Sequence, residues 1–334
     1  MNIYNYILNS YRYYHSKSNK DDIMKLQEMI KLFETHCIYE KNLSAKTIKA
    51  YNIDLKQFCE YRDSKNCSLD LFDKFYIKDY IKYLFEQGLE AKSVKRKSGT
   101  LKTFFNFLEF EEFIEISPFK KMQLSIKLPK RLPKTIDKKD LQRFFKFMYA
   151  FKEKMENKNS YTYYAIIRDI AVIELLFATG MRVSELCHLK PADINIQRGI
   201  VTIFGKGAKE RAIQICDPEV KQSLVEYYKL FNQKIHEKNF FFINRFNNMF
   251  SEDSVRHMIK KYQLLSGIRK HVTPHQFRHT LATGLLEENV DIRYIQTILG
   301  HSSILTTQIY TAVNSKHQKK ILSTRHPRKN LNVH

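Results

Sequence analysis

Apolar positions along this chain recur mostly three and four residues apart, the repeat of a helix with one buried face. From Ile23 to Tyr39 they fall at Met24, Leu26, Met29, Ile30, Leu32 and Phe33. Ser44 is a good N-cap for a second helix, in which Ile48, Tyr51, Leu55 and Phe58 keep the spacing. A third helix is predicted over about Lys74–Gln87, stopping at Gly88. A fourth starts near Lys92 and carries Leu101, Phe104, Phe105 and Leu108. These four amphipathic segments predict a compact bundle over residues 23–116, preceded by a polar, tyrosine-rich extension (1–22) to which the pattern assigns no role.

The pattern breaks between Ser117 and Lys139, where Pro118, Pro129 and Pro133 interrupt helices. We place a linker at 117–134 and a second domain at 135–334. Leu141–Phe151 reads as a helix, and a polar stretch, Lys152–Ser160, follows it. Tyr163–Thr179 is strongly apolar (Ile166, Ile167, Ile170, Val172, Ile173, Leu175, Leu176) and reads as a buried helix ending at Gly180. The repeat then changes to that of strands. Ile200–Phe204 and Ala212–Ile215 are β-branched runs around G-K-G-A-K-E-R, a hairpin with Lys206 near its tip. Helices resume at Pro218–Phe231 and Ser251–Leu265. In Val272–Thr311, Thr273-Pro274 starts a helix, with Gln276 completing a T-x-x-Q capping box. His275 and Arg278, three apart, share a face of its first turn, where free N–H groups beside a cation suit a phosphate. Asp291 caps a second helix that Gly300 stops, leaving His301 on the turn. Ser303 caps a third, short helix carrying Tyr310. That order brings one phenol to a site holding two imidazoles and a guanidinium.

Composition sharpens this picture. A chain of 334 residues suits two domains, and 43% hydrophobic content supports real cores. With 9 glycines and 7 prolines the fold is expected to be mainly α with a small antiparallel β-sheet. The net charge of +22 implies a polyanionic partner. Eight lysines and arginines against one acid in 117–139 place a basic strap between the domains. There is no spanning apolar run and no signal-peptide pattern, so no membrane is expected. Five cysteines (Cys37, Cys59, Cys67, Cys187, Cys216) without a C-x-x-C read as reduced thiols, and the location expected is cytoplasmic. The G-K-G lacks the rest of a P-loop, which rejects a nucleoside triphosphate site. His275 and His279 have zinc spacing, but Gln276 stands where a zinc peptidase needs Glu, and no acidic or Cys cluster follows. No metal and no cofactor are expected.

Three stretches carry a resemblance. H-Q-F-R-H (275–279), then L-G-H (299–301), then Tyr310 nine residues on, resembles the C-terminal signature of the tyrosine recombinase (phage integrase) family, with Xer-type and transposon-borne members nearest. T-G-M-R-V-S-E-L (179–186) resembles the context of that family's first catalytic arginine, and Leu43–Phe58 its N-terminal core-binding pattern. The resemblance covers about Leu26 to Val313. It implies a two-domain DNA clamp: a helical, SAM-like core-binding bundle and a catalytic domain with a basic C-terminal tail.

The resemblance further implies strand cleavage through a 3′-phosphotyrosyl link, with Tyr310 as nucleophile. Arg182 and Arg278 would hold the phosphate oxygens as fixed forks, and Lys206 would protonate the leaving oxygen. His275 would assist proton transfer, and His301 would hydrogen-bond the phosphate. Glu185 would orient Arg182, and His279 would be structural. It gives Lys46, Thr47 and Lys49 on the second helix, and Lys92, Lys95, Arg96 and Lys97 on the fourth, to DNA; without it they form an ordinary solvated face. Lys209 and Arg211 are expected to touch backbone phosphates. The partners expected are double-stranded recombination sites and further copies of the chain, a tetramer in the synaptic complex, with or without a second recombinase. The tail, with six lysines and arginines and no acid from Ser315 to His334, would dock on a neighbouring protomer. Two other readings are a DNA-binding protein that has lost catalysis and a type IB topoisomerase; the intact residue set disfavours the first, and L-G-H-S with a small N-terminal bundle the second. The missing long N-terminal domain argues against an arm-site-binding integrase. The extension (1–22), the inserted polar stretch (Lys152–Ser160) and the H-P-R tail (326–328) lean towards a mobile element over chromosome dimer resolution.

Overall fold

The computed structural model describes residues 26–62, 68–128, 134–205, 210–300 and 322–330. The chain falls into two compact units, Met1–Arg131 and Leu132–His334.

In the first unit, α1 (Leu26–Thr35) runs into a π-helical turn, His36–Glu40. Helices α2 (Ala45–Glu60), α3 (Lys74–Glu86) and α4 (Ala91–Phe110) follow. Ser44 caps α2 as its position suggests, accepting the Thr47 N–H at 3.2 Å. Asp73 caps α3 through the N–H groups of Phe75 and Tyr76. The apolar stripes meet as a core rich in aromatic rings, with Phe33, Phe58, Tyr80, Phe104 and Phe105 all closed to solvent. Phe58 sits edge-on to Tyr80 at 4.9 Å, the favoured geometry for ring quadrupoles.

One charge lies inside this core. Asp54, between Tyr51 and Phe58 on the apolar stripe, has no exposed side-chain surface. Lys97 Nζ donates to its Oδ1 at 2.9 Å, the Thr100 hydroxyl to Oδ2 at 2.9 Å, and Arg96 also to Oδ2. A buried carboxylate is tolerable only with such partners, and these tie α2 to α4.

In the second unit, α6 (Tyr161–Thr179) is the central helix, enclosed as its sequence requires; α5 (Lys138–Glu153), α8 (Pro218–Lys238) and α10 (Pro274–Glu287) pack around it. The short α7 (Val183–Cys187) leads to an antiparallel sheet in the order β1 (Ile194–Asn195), β2 (Ile200–Phe204), β3 (Glu210–Gln214), with Ile203 opposite Arg211. Helices α9 (Glu252–Leu265) and α11 (Ile292–Leu299) complete it. The mainly helical chain with one small antiparallel sheet matches the expectation from periodicity. Among the described residues no helix is long and apolar enough to cross a membrane.

The segment 322–330 packs on this same unit. Arg328, 2% exposed, reaches Glu174 in the middle of α6 (Nε–Oε2 3.0 Å, NH2–Oε1 2.9 Å) and also bonds Glu219. The Tyr149 hydroxyl donates to the same Glu174 at 2.7 Å. His326 Nε2 meets the Ala178 carbonyl at 3.1 Å. Gly284 makes room for the chain: a Cβ there would lie 2.7 Å from Pro327 Cγ. In the single chain the segment 322–330 thus packs on its own unit; the rest of the basic tail lies outside the described residues.

Candidate active site

The site is built where the C-terminal ends of α6 and α11 face each other. Both helices stop on a left-handed glycine, Gly180 (φ 59°) and Gly300 (φ 66°). At Gly180 a side chain has no space: a Cβ would come within 2.6 Å of Leu299 Cδ2 and 2.8 Å of Leu281 Cδ2. This close approach aims the last carbonyls of the two helices at one point.

Arg278, on the second turn of α10, enters that point from below. It is 6% exposed, and NH1 donates to the Gly180 carbonyl at 2.7 Å while NH2 donates to the Leu299 carbonyl at 2.6 Å. Each terminal nitrogen of a guanidinium carries two protons, so each keeps one for another acceptor. Arg182 stands at the head of α7. Its NH1 donates to Glu185 Oε1 at 2.7 Å, and its NH2 lies 3.5 Å from the Gly300 carbonyl. Its side chain is 39% exposed, so it faces outward where Arg278 faces inward.

Charge is concentrated here. Burial pulls the Arg278 guanidinium down to about 10, and the nearby Arg182 and Arg211 pull the same way. It is still a cation at neutral pH, but one that gains from an anion. Burial alone would raise the Glu185 carboxyl; hydrogen bonds from Arg211 and from the Arg182 backbone and side chain hold it below the usual range. His279, half-buried on α10, is pulled down chiefly by burial, and the Arg278 guanidinium acts the same way. His275 is exposed.

The capping of α10 departs in detail from expectation. Thr273 caps, accepting the Gln276 N–H at 3.4 Å. The Gln276 side chain, however, accepts the Thr273 hydroxyl at 3.1 Å instead of reaching back to its N–H, so the box is half made. Asp291 caps α11 through the Arg293 N–H at 2.8 Å. Lys206, Lys209, His301 and Tyr310 lie outside the described residues.

Two assignments need correction. Lys97 does not face DNA: its side chain is 6% exposed and its ammonium is held by Asp54 and Gln57. Arg211 is not a surface phosphate contact: its side chain is 11% exposed and its fork is taken by Glu185. Lys46, Lys49, Lys92, Lys95 and Arg96 are exposed on α2 and α4; Thr47 is half-buried, 2.9 Å from the Ser44 hydroxyl. Reading the sequence missed Asp54 and the Arg211–Glu185 pair. An acid inside an apolar stripe signals the first; nothing local signals the second, whose members stand on α7 and β3. Among the described residues, three groups near enough to share a metal ion are His36, Glu40 and Glu111, in the first unit. His36 Nδ1 and Glu40 Oε2 already bond at 2.8 Å, which accounts for that pair without an ion.

Two family descriptions match the chain: the phage integrase family over residues 134–317, and the phage integrase N-terminal SAM-like domain over 30–112. A tyrosine recombinase of Agathobacter rectalis is 45% identical over 309 residues, which is 92% of this chain and 98% of that protein. The tyrosine recombinase XerD of Staphylococcus aureus (strain Mu50) is 34% identical over 293 residues, 86% of this chain and 95% of that one. In fold, the chain is similar to a lambda integrase tetramer bound to a Holliday junction, with a TM-score of 0.64, 19% identity, and coverage of 87% of this chain and 78% of that chain.

Proposed function

The chain belongs to the phage integrase family of tyrosine recombinases, and on that premise we propose that Tyr310 is its nucleophile and Arg182 and Arg278 its phosphate clamp. It is a site-specific recombinase, an enzyme that cuts and rejoins DNA. The observation that carries the assignment of the clamp is the meeting of two guanidiniums at the facing ends of α6 and α11, one at Leu299 O and the other near Gly300 O.

The chemistry follows from charge. The Tyr310 oxygen attacks the scissile phosphorus, the bond to the 5′-oxygen breaks, and that oxygen takes a proton to leave as a hydroxyl. A 5′-hydroxyl from another strand then attacks the phosphotyrosine and returns the phenol. One phosphoester replaces another, so no outside energy source enters. Negative charge spreads over the non-bridging oxygens in both steps, and fixed forks stabilise it without reorganising. Lys206 supplies the proton to the leaving oxygen, His275 assists at the phenol, and His301 donates to the phosphate. Lys46, Lys49, Lys92, Lys95 and Arg96 grip backbone phosphates and set register. Exchange between two duplexes needs four such sites, so the working assembly we propose is a tetramer on two DNA sites. The similar lambda integrase structure, a tetramer on a Holliday junction, supports that count.

The test is covalent capture. Wild-type protein mixed with nicked duplexes of random sequence should leave a protein–DNA adduct on a denaturing gel, and its DNA can then be read out as the target site. Tyr310→Phe should bind that site and form no adduct; an adduct from the Phe variant would overturn the assignment.

A further inference from the structure

Arg211 has no role in the steps above, yet it is the most constrained of the three guanidiniums around the site. It projects from β3, opposite Ile203, and meets residues of two other elements. Its NH2 donates to Glu185 Oε2 at 2.7 Å and its NH1 to Oε1 at 3.2 Å, fork against carboxylate. Its Nε donates to the Ile298 carbonyl at 3.1 Å, in the last turn of α11. Gly300 is bare beside it: a Cβ there would stand 2.9 Å from Arg211 NH1.

The sharing of Glu185 gives this geometry its meaning. Oε1 accepts from both Arg182 NH1 and Arg211 NH1; Oε2 accepts from the Arg182 backbone N–H and Arg211 NH2. Glu185 is therefore fixed in position and orientation, and it fixes Arg182 in turn. Charge points the same way. Arg182 alone against Glu185 would be a neutral pair, a poor receiver for phosphate. With Arg211 and Arg278 added, three guanidiniums face one carboxylate, and the cluster stays positive where Arg182 is open to solvent.

We propose that Arg211 is a positioning residue for strand cleavage: it acts through Glu185 to aim Arg182, and through the Ile298 carbonyl to hold the turn at Gly300. This rests on the reading of Arg182 as a phosphate ligand. Arg211 itself, with its fork taken and its side chain covered, does not touch DNA.

The experiment uses the full chain and the nicked duplex recovered by covalent capture. Single-turnover adduct formation and DNA affinity are measured for Arg211→Lys, Arg211→Gln, Glu185→Gln and the double variant Arg211→Gln/Glu185→Gln, with melting temperature as a check on folding. Arg211→Lys keeps the charge and most of the volume but cannot span two oxygens and a carbonyl, so it serves where Arg211→Gln folds poorly. Each single variant is expected to slow cleavage at least tenfold with DNA affinity within threefold of wild type. The double variant is expected to be no slower than the worse single, because both cut the same link. Cleavage within twofold of wild type for Arg211→Lys would overturn the proposal. So would a loss confined to affinity, with a salt dependence shallower by about one phosphate, since that marks a direct contact. A double variant slowed by the product of the two singles would also overturn it. Normal cleavage by Arg182→Lys would instead remove the reading underneath, and the two failures are thus told apart.

Discussion

Arg278 shows what a single side chain must satisfy here. It caps two helix ends, at Gly180 and Leu299, and remains a cation in a nearly closed site. A lysine would keep the charge and lose the planar fork, so at least one carbonyl would be left unsatisfied. Arg278→Lys is expected to lower the cleavage rate by about 10²–10³-fold, the loss typical of a removed donor at developing charge; adduct formation on the nicked duplex checks it. Glu185 gives a pH signature. Its carboxyl is held below its ordinary 4.5, so the fold binds its anion better than the unfolded chain does. The resulting stability is fully present above pH 4.5 and is lost as pH falls through the lower folded value. Glu185→Gln should therefore flatten the acid limb of a melting-temperature profile and leave the slope of its neutral region unchanged.

At the scale of elements, junctions matter more than the helices themselves. Gly180 must be left-handed and must have no Cβ, because α11 approaches it through Leu299. Gly180→Ala is expected to cost about 1–3 kcal/mol for the backbone alone, with the clash added, and to misplace the carbonyl that Arg278 holds. Thermal denaturation together with adduct formation tests both parts. In the first unit the α2–α4 junction depends on Asp54. Removing its charge leaves the Lys97 ammonium buried without its counter-charge, with Gln57 still accepting from it, a loss that typically costs about 3–5 kcal/mol. Asp54→Asn should thus lower the denaturation midpoint of that unit; because Arg96 is anchored by the same carboxylate, DNA affinity should fall with it. Helix existence and caps at Ser44, Asp291 and Thr273 were legible from spacing and residue type. The Asp54 and Glu185 junctions join residues tens of positions apart, and no local pattern encodes which distant partner a charge will meet.

At the scale of the whole chain, the segment 322–330 helps to close the second unit. Glu174, fully buried in α6, is matched by Arg328 from the far end of the sequence. Arg328→Met is expected to cost about 3–5 kcal/mol, since it strands that carboxylate; chemical denaturation of the full chain measures it. His326 makes the same docking sensitive to acid. Burial holds its ring at about 4, against an ordinary 6.5, even though Asp217 opposes the shift. The unfolded chain then binds more protons between those values, so stability from this segment is whole above pH 6.5 and is lost as pH falls towards 4. A His326→Gln variant should lose that slope, as read by hydrogen exchange along 322–330.

Sequence alone determined the main helices, the paired strands and the mainly helical class, because helix and strand periods and caps are short-range properties. It also marked Arg182 and Arg278, through motifs whose spacing is preserved in the chain. What it left open was which cations are free to meet DNA. Lys97 and Arg211 look in sequence like Lys95 and Arg182, and only the packing of α4 on α2 and of β3 against α7 and α11 turned them inward. A charge's role is set by its burial and its partner, and both belong to the folded chain.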